Sequence, residues 1–179
     1  MITASDHAIW LDKHIPHRVR AAIARLKVDV WGVTAAEMCV DPPLPTKQSK
    51  ACWRCSTDSI WEGRLVAARW LIEFVGIQQD PKGKAVRSRK STKYSSDVRI
   101  NDLPGGILLD PNTNDAEKLA KVWKGCSQGS SHATDASGHP SVDDRRELPK
   151  AVSIVIKHLE QTVYHGRVGE TLRELVLGP

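Results

Sequence analysis

Aromatic residues other than tryptophan are almost missing from this 179-residue chain: one Phe and two Tyr stand against six Trp. Trp in such number suggests that indoles serve as buried anchors, with a ring N–H that needs a partner wherever it is buried. Long apolar runs are also lacking. None approaches the roughly 18 residues that a membrane-spanning helix needs, and the opening MITASDHAIWLDKH puts Asp6, His7 and Asp12 where a secretory signal requires an apolar core. The expectation is a cytoplasmic protein with no membrane attachment. Three catalytic or nucleotide-binding signatures are absent as well. There is no G-x-S-x-G elbow, no phosphate loop and no dinucleotide fingerprint, and the Gly105-Gly106 pair is too short to serve as either of the last two.

Cysteine is scarce, with Cys39, Cys52, Cys55 and Cys126 making up the whole set. Cys52 and Cys55 form a C-x-x-C, a spacing that suits a zinc ligand pair or a redox pair. A structural zinc needs four N or S ligands, usually as two tight pairs, and Cys39, Cys126 and His132 are scattered along the chain. A redox pair belongs on a strand-to-helix turn in a βαβ setting, which the pattern does not offer. Ordinary reduced cysteines are expected, with no metal and no cofactor.

The charge is uneven. The net value is +5, but residues 82–93, KGKAVRSRKSTK, hold Lys82, Lys84, Arg87, Arg89, Lys90 and Lys93 with no acid, and removing these six leaves 20 basic against 21 acidic residues. One segment, 80–96, is basic, and its Ser, Lys and Gly content without apolar periodicity predicts a flexible surface loop. Such a loop suits phosphate contacts that ignore sequence and weaken as salt rises.

Apolar periodicity gives the remaining architecture. Ser5 or Asp6 is placed to cap a short turn, and Pro16 opens a helix in which Val19, Ala22, Ile23, Leu26 and Val30 share a face. Residues 29–55 include DPPLPTK and read as a Pro-rich connection. Ser59 with Glu62 makes a capping box for a helix running to Gly76. Trp61, Leu65, Ala68, Ile72 and Val75 form one apolar stripe of this helix, and Val66, Trp70 and Phe74 a second. Glu62, Arg69 and Glu73 form a narrow charged strip between them, with Arg69 and Glu73 spaced for an i, i+4 pair. Residues 95–115 read as turns and extended segments, in which Asp97, Asp102 and Asp110 serve as local turn formers.

Asn114 caps a further helix carrying Leu119, Val122, Trp123 and Cys126, which dissolves into the Ser/Gly-rich stretch 127–139. Ser141 or Asp143 starts a last long helix, kinked early by Pro149, with Leu148, Ala151, Val152, Val155, Ile156, Leu159 and Val163 in period through to Gly166. The tail 166–179 is a short amphipathic helix suited to docking on the bundle or to self-association as a homodimer. The sum is one domain, mainly α: a bundle of four to five helices with long irregular connections and at most a small peripheral strand pair.

Among the seven His, His132 and His139 lie in the Ser/Gly-rich stretch, where a side chain is easily presented to a ligand. The order of a Trp-rich helix ending in RWLIEFVGI, a basic loop, DVRINDL, KVWKGCSQGSSHAT and a last long helix resembles proteins of the HEPN type (higher eukaryote and prokaryote nucleotide-binding) over residues 57–165. The resemblance implies a helical fold and an RNA-related or defence-related context. Ribonucleases of that family carry Arg, a polar residue and then His, with four to six residues between Arg and His. No Arg and His in this chain have that spacing, and the basic residue before His132 is Lys124. Losing the Arg that stabilises phosphorane charge removes orders of magnitude of rate. The expected function is thus a non-catalytic bacterial helical-bundle protein that binds a partner protein, a nucleotide or nucleic acid. The alternatives are phosphodiester cleavage with His132 as acid or base beside Arg69, Glu73 or Lys124, and non-specific nucleic-acid binding through residues 82–93.

Overall fold

The computed structural model describes residues 3–23, 50–89, 98–131, 146–167 and 169–177, with only the backbone described at 50–61 and 128–131. The chain is mainly helical, with a single two-stranded sheet among these residues. The expectations for 29–49, Cys39, Lys90, Lys93, Asp97, His132, His139, Ser141 and Asp143 lie outside the described residues.

The first helical run comprises α1 (Ala4–Ile9), a π-helical turn (Trp10–His14) and α2 (Ile15–Ile23). Its cap is Thr3, not Ser5 or Asp6. The Thr3 hydroxyl accepts from the Asp6 amide at 3.2 Å while the Asp6 carboxylate accepts from the Thr3 amide at 2.9 Å, so Asp6 is the far half of the box. Pro16 does not open a helix; it sits inside one. A proline there removes a backbone donor and crowds the carbonyl four residues back, and the preceding π turn, in which Ile15 N–H reaches Trp10 O, widens the spiral at that point. In that wider register the partner of the Leu11 carbonyl would be the amide of residue 16, which proline lacks. The Tyr164 hydroxyl fills the vacancy, donating to Leu11 O at 2.6 Å. Arg167 pairs with neighbouring Asp12.

The central helix α3 spans Lys50–Phe74. The Pro-rich connection therefore stops short of Lys50, and Ser59 is interior, not a cap. Nothing between Lys50 and Ser59 breaks a helix, and a Ser-x-x-Glu pattern acts as a start only where the chain upstream is not already helical. Leu65, Ala67, Ala68, Leu71, Ile72, Phe74 and Val75 are buried, as expected for a helix apolar on most sides. Val66 departs from the expected second stripe, being 46% exposed. Gly76 ends the helix with φ of 93°, and a Cβ there would lie 2.6 Å from a Leu108 methyl.

The basic segment is not a plain loop. Strands β1 (Ile77–Gln79) and β2 (Ala85–Arg87) form an antiparallel hairpin with Gln78 opposite Val86. The Asp80 carboxylate organises its turn by accepting from the amides of Lys82 and Lys84 at 2.9 and 2.8 Å. Residues 98–113 then fold around a 3-10 turn (Ile100–Asp102) and close on α3 through Leu109 N–H to Val75 O. As expected, Asp102 and Asp110 are local turn formers, accepting from the Arg99 and Asn112 amides.

Helix α4 covers Asn114–Ser131. Its cap is Thr113, one residue before the expected Asn114, whose hydroxyl accepts from the Ala116 amide at 3.2 Å. The helix does not dissolve after Cys126 but continues through Ser127 and Gly129 to Ser131, and the Ser127 hydroxyl donates back to Trp123 O at 2.8 Å. Serine can bond its own helix in this way, and Gly lowers helix stability without forbidding it. Helix α5 (Glu147–Gln161) starts after Arg146 and keeps Pro149 in its first turn, where the missing N–H is one of the free helix-end donors. It ends before the expected Gly166, with Val163 and Tyr164 buried in the following turn. The tail helix α6 (Leu172–Leu177) docks on α2: Leu172 and Val176 are buried, and Arg20 donates to the Val176 and Leu175 carbonyls at 3.0 and 2.6 Å. The core lies between α2, α3, α4 and α5, and no helix among the described residues is long and apolar enough to cross a membrane.

Candidate functional site

The charged strip on α3 meets α4 at one point. Glu73 Oε1 accepts from Arg69 Nε at 3.0 Å and from the Trp123 indole N–H at 2.7 Å. The Arg69 guanidinium also lies over the Trp123 ring, 5.6 Å from its centroid. The three side chains thus close on one another: the indole gains the acceptor its N–H needs, and the carboxylate gains two donors. Both charged side chains are about 37% exposed, so the pair lies at the edge of the core. Three residues along α4, Cys126 is fully buried, and burial pushes its thiol up to about 12 against the opposing pull of Arg69. A thiol held neutral in this way is a packing group and not a nucleophile.

The sequence-derived partners scatter around this triad. Lys124 is exposed on α4. Glu62 is exposed some seven residues before Arg69, roughly 10 Å along the helix axis. His132 lies outside the described residues. Helical register alone gives Trp123 no role beyond packing. The signal that points to its role is chemical: a half-buried indole opposite a charged helix strip will find the carboxylate.

The basic segment divides between structural and free cations. Arg87 donates to Leu109 O at 2.8 Å, and Arg99 donates to Ser88 O at 2.7 Å. These two guanidiniums tie the hairpin to residues 98–109. Lys82, Lys84 and Arg89 are exposed. On α5, His158 reaches Ile107 O at 2.6 Å through Nε2. A carbonyl only accepts, so Nε2 carries the proton.

A second concentration of aromatic and basic groups lies where α3 meets the first helical run. Trp10, Trp70 and Phe74 stack with interplanar angles of 4° to 14° and centroids 4.9 to 6.1 Å apart. His14 packs on Trp10 with ring centroids 4.9 Å apart, and the Arg18 guanidinium sits 5.5 Å over Trp70. Phe74 is buried, whereas both indoles are half-exposed. The sequence placed Trp70 and Phe74 on one stripe but gave no sign that Trp10 joins them across the fold.

No group of three His, Cys, Asp or Glu suited to a metal ion occurs among the described residues, and the side chains of Cys52 and Cys55 lie outside them, although their backbone is helical. No protein-family model, curated protein or solved structure matches the chain.

Proposed function

We propose that the protein works by binding, as a non-catalytic interaction or accessory module built on a helical bundle, in the RNA-related or defence context that the HEPN-type resemblance implies. The observation that carries this reading is the closure of the Arg69, Glu73 and Trp123 triad. A general base needs a free lone pair aimed at substrate, and an electrostatic catalyst needs donors aimed at developing charge. Here Glu73 Oε1 receives two donors from its own fold, and the Arg69 guanidinium donates to Glu73 and lies over the Trp123 ring, so the groups brace α3 against α4. The test is incubation of purified protein with end-labelled single-stranded RNA. Strand length is expected to stay unchanged, and cleavage that disappears in the His132→Ala variant would overturn the reading in favour of a phosphodiesterase using His132 with Arg69, Glu73 or Lys124.

A second reading, non-specific nucleic-acid binding through the hairpin, is favoured by the exposure of Lys82, Lys84 and Arg89. Replacing these three by Ser should then abolish binding to random RNA or DNA measured by anisotropy. Unchanged binding would remove the hairpin as the site.

A further inference from the structure

We infer that the first helical run and the adjoining face of α3, centred on Trp10, His14, Arg18 and Trp70 with Lys13 alongside, bind single-stranded nucleic acid. The inference rests on the binding reading above and supplies its partner. From Lys13 to Ile23 the chain holds Lys13, His14, His17, Arg18 and Arg20 and no acid. Ile15, Val19, Ala22 and Ile23 are buried on the core side, which directs most of the basic groups outward: Lys13, His14 and His17 are exposed and Arg18 is half-buried.

The arginines elsewhere are largely committed. Arg20 holds α6, Arg69 holds Glu73, Arg87 and Arg99 hold the hairpin, and Arg167 holds Asp12. Arg18 pairs with no carboxylate among the described residues and rests instead on Trp70. A guanidinium lying on an indole is fixed in orientation while its N–H edge stays open, which is the arrangement that receives a phosphate. Beside it, Trp10 and Trp70 are held parallel by buried Phe74 and keep open margins. Rigid indoles next to an unpaired cation suit a strand whose bases are free to stack and whose phosphates lie within reach.

Duplex fits less well, because its bases are already stacked. An anionic membrane surface fits less well too: an interfacial helix needs a free apolar face, and here that face forms the core. An acidic peptide satisfies the cations and leaves the indoles idle.

The test uses the full chain with fluorescein-labelled 20-nucleotide RNA and DNA of unstructured sequence, the same strands as duplex, polyglutamate, and phosphatidylserine vesicles. Tight binding to single strands with quenching of tryptophan fluorescence is expected. The Lys13→Gln/Arg18→Gln variant should bind about tenfold more weakly, with a slope of log K against log salt shallower by about 1.4, two phosphate contacts being lost. Should that variant not fold, Lys13→Gln alone, at an exposed site, should flatten the slope by about 0.7. The variant with Lys82, Lys84 and Arg89 replaced by Ser should retain most of the affinity and all of the quenching. The inference is overturned by absence of single-strand binding, by equal affinity for duplex, polyglutamate or vesicles, by an unchanged slope in the Lys13 and Arg18 variants, or by loss of binding in the hairpin variant. Absence of binding with the strand left intact defeats this inference alone, whereas strand cleavage dependent on His132 defeats the binding reading.

Discussion

The hairpin at 77–87 and the helical run at 4–23 both carry more basic than acidic residues, and the fold uses their guanidiniums in different ways. At the hairpin, Arg87 takes Leu109 O, and Arg99 from the following segment takes Ser88 O, so guanidiniums satisfy carbonyls that short strands and turns leave open while Lys82 and Lys84 stay exposed. In the helical run most of the backbone lies in helical turns, and the Leu11 carbonyl beside Pro16 takes its donor from a tyrosine. The cations of the run are correspondingly available, Arg20 apart. Charge counted along a sequence therefore overstates a binding surface wherever irregular backbone needs side-chain donors. It understates one where regular backbone needs none.

Breaking the hairpin side should produce the largest effect. A Cβ on Gly106 would fall 1.6 Å from the Ile100 carbonyl oxygen, a contact that only backbone displacement relieves. Gly106→Ala should thus move the 98–109 segment that Arg87 and Arg99 grip, at a cost of roughly 3 kcal/mol or more. Urea denaturation gives the total, and hydrogen exchange should show protection lost at 77–89 well before 4–23. Uniform loss across both regions would mean that the two are one cooperative unit.

Tyr164→Phe probes the other side. It leaves the Leu11 carbonyl buried without its donor, and an expected cost of about 1–2 kcal/mol follows from removing one partner of a buried hydrogen bond. The same change in a Pro16→Ala background should cost less, because residue 16 then brings its own amide to the run. A double-mutant cycle by chemical denaturation measures the difference. Strict additivity would separate the tyrosine from the proline-induced gap.

The helices themselves were legible in the sequence because apolar period survives wherever a face packs on the core, as Leu65, Ile72, Leu119, Val155 and Leu159 do. The boundaries were not, because each rested on local chemistry with two readings. Pro16 looks like a helix start unless a π turn precedes it; Ser59 looks like a cap unless the helix has already begun; Ser127 and Gly129 look like a linker unless serine bonds back to its own helix. The hairpin was hidden because Ala85–Arg87 is three residues long and has no alternation to detect. The site was half visible. Arg69 with Glu73 follows from i, i+4 spacing, whereas Trp123 and the stacking of Trp10 on Trp70 are tertiary facts that spacing does not carry.

The smallest effect comes from proton linkage at the clasp between the turn after α5 and the N-terminal run. Burial raises the Tyr164 hydroxyl above its ordinary value of 10.0, with Arg167 opposing and Asp12 reinforcing the shift. The folded state therefore holds a proton that the unfolded state releases, so the stability this proton contributes is intact below about pH 10 and declines as pH rises through the unfolded value. By pH 10 the loss at Tyr164 amounts to about 0.4 kcal/mol relative to neutral pH, the value expected when half of the unfolded chains have ionised. Cys126 acts in the same direction from about its ordinary value of 9.0, because burial raises its thiol as well. It does so equally in wild type and in Tyr164→Phe, so the difference between their stability curves from pH 8 to 10 isolates the tyrosine. The Phe variant should lose less stability over that span. Parallel curves would show that the hydroxyl titrates freely in the folded protein, and hence that the clasp on Leu11 is open at least as often as it is closed.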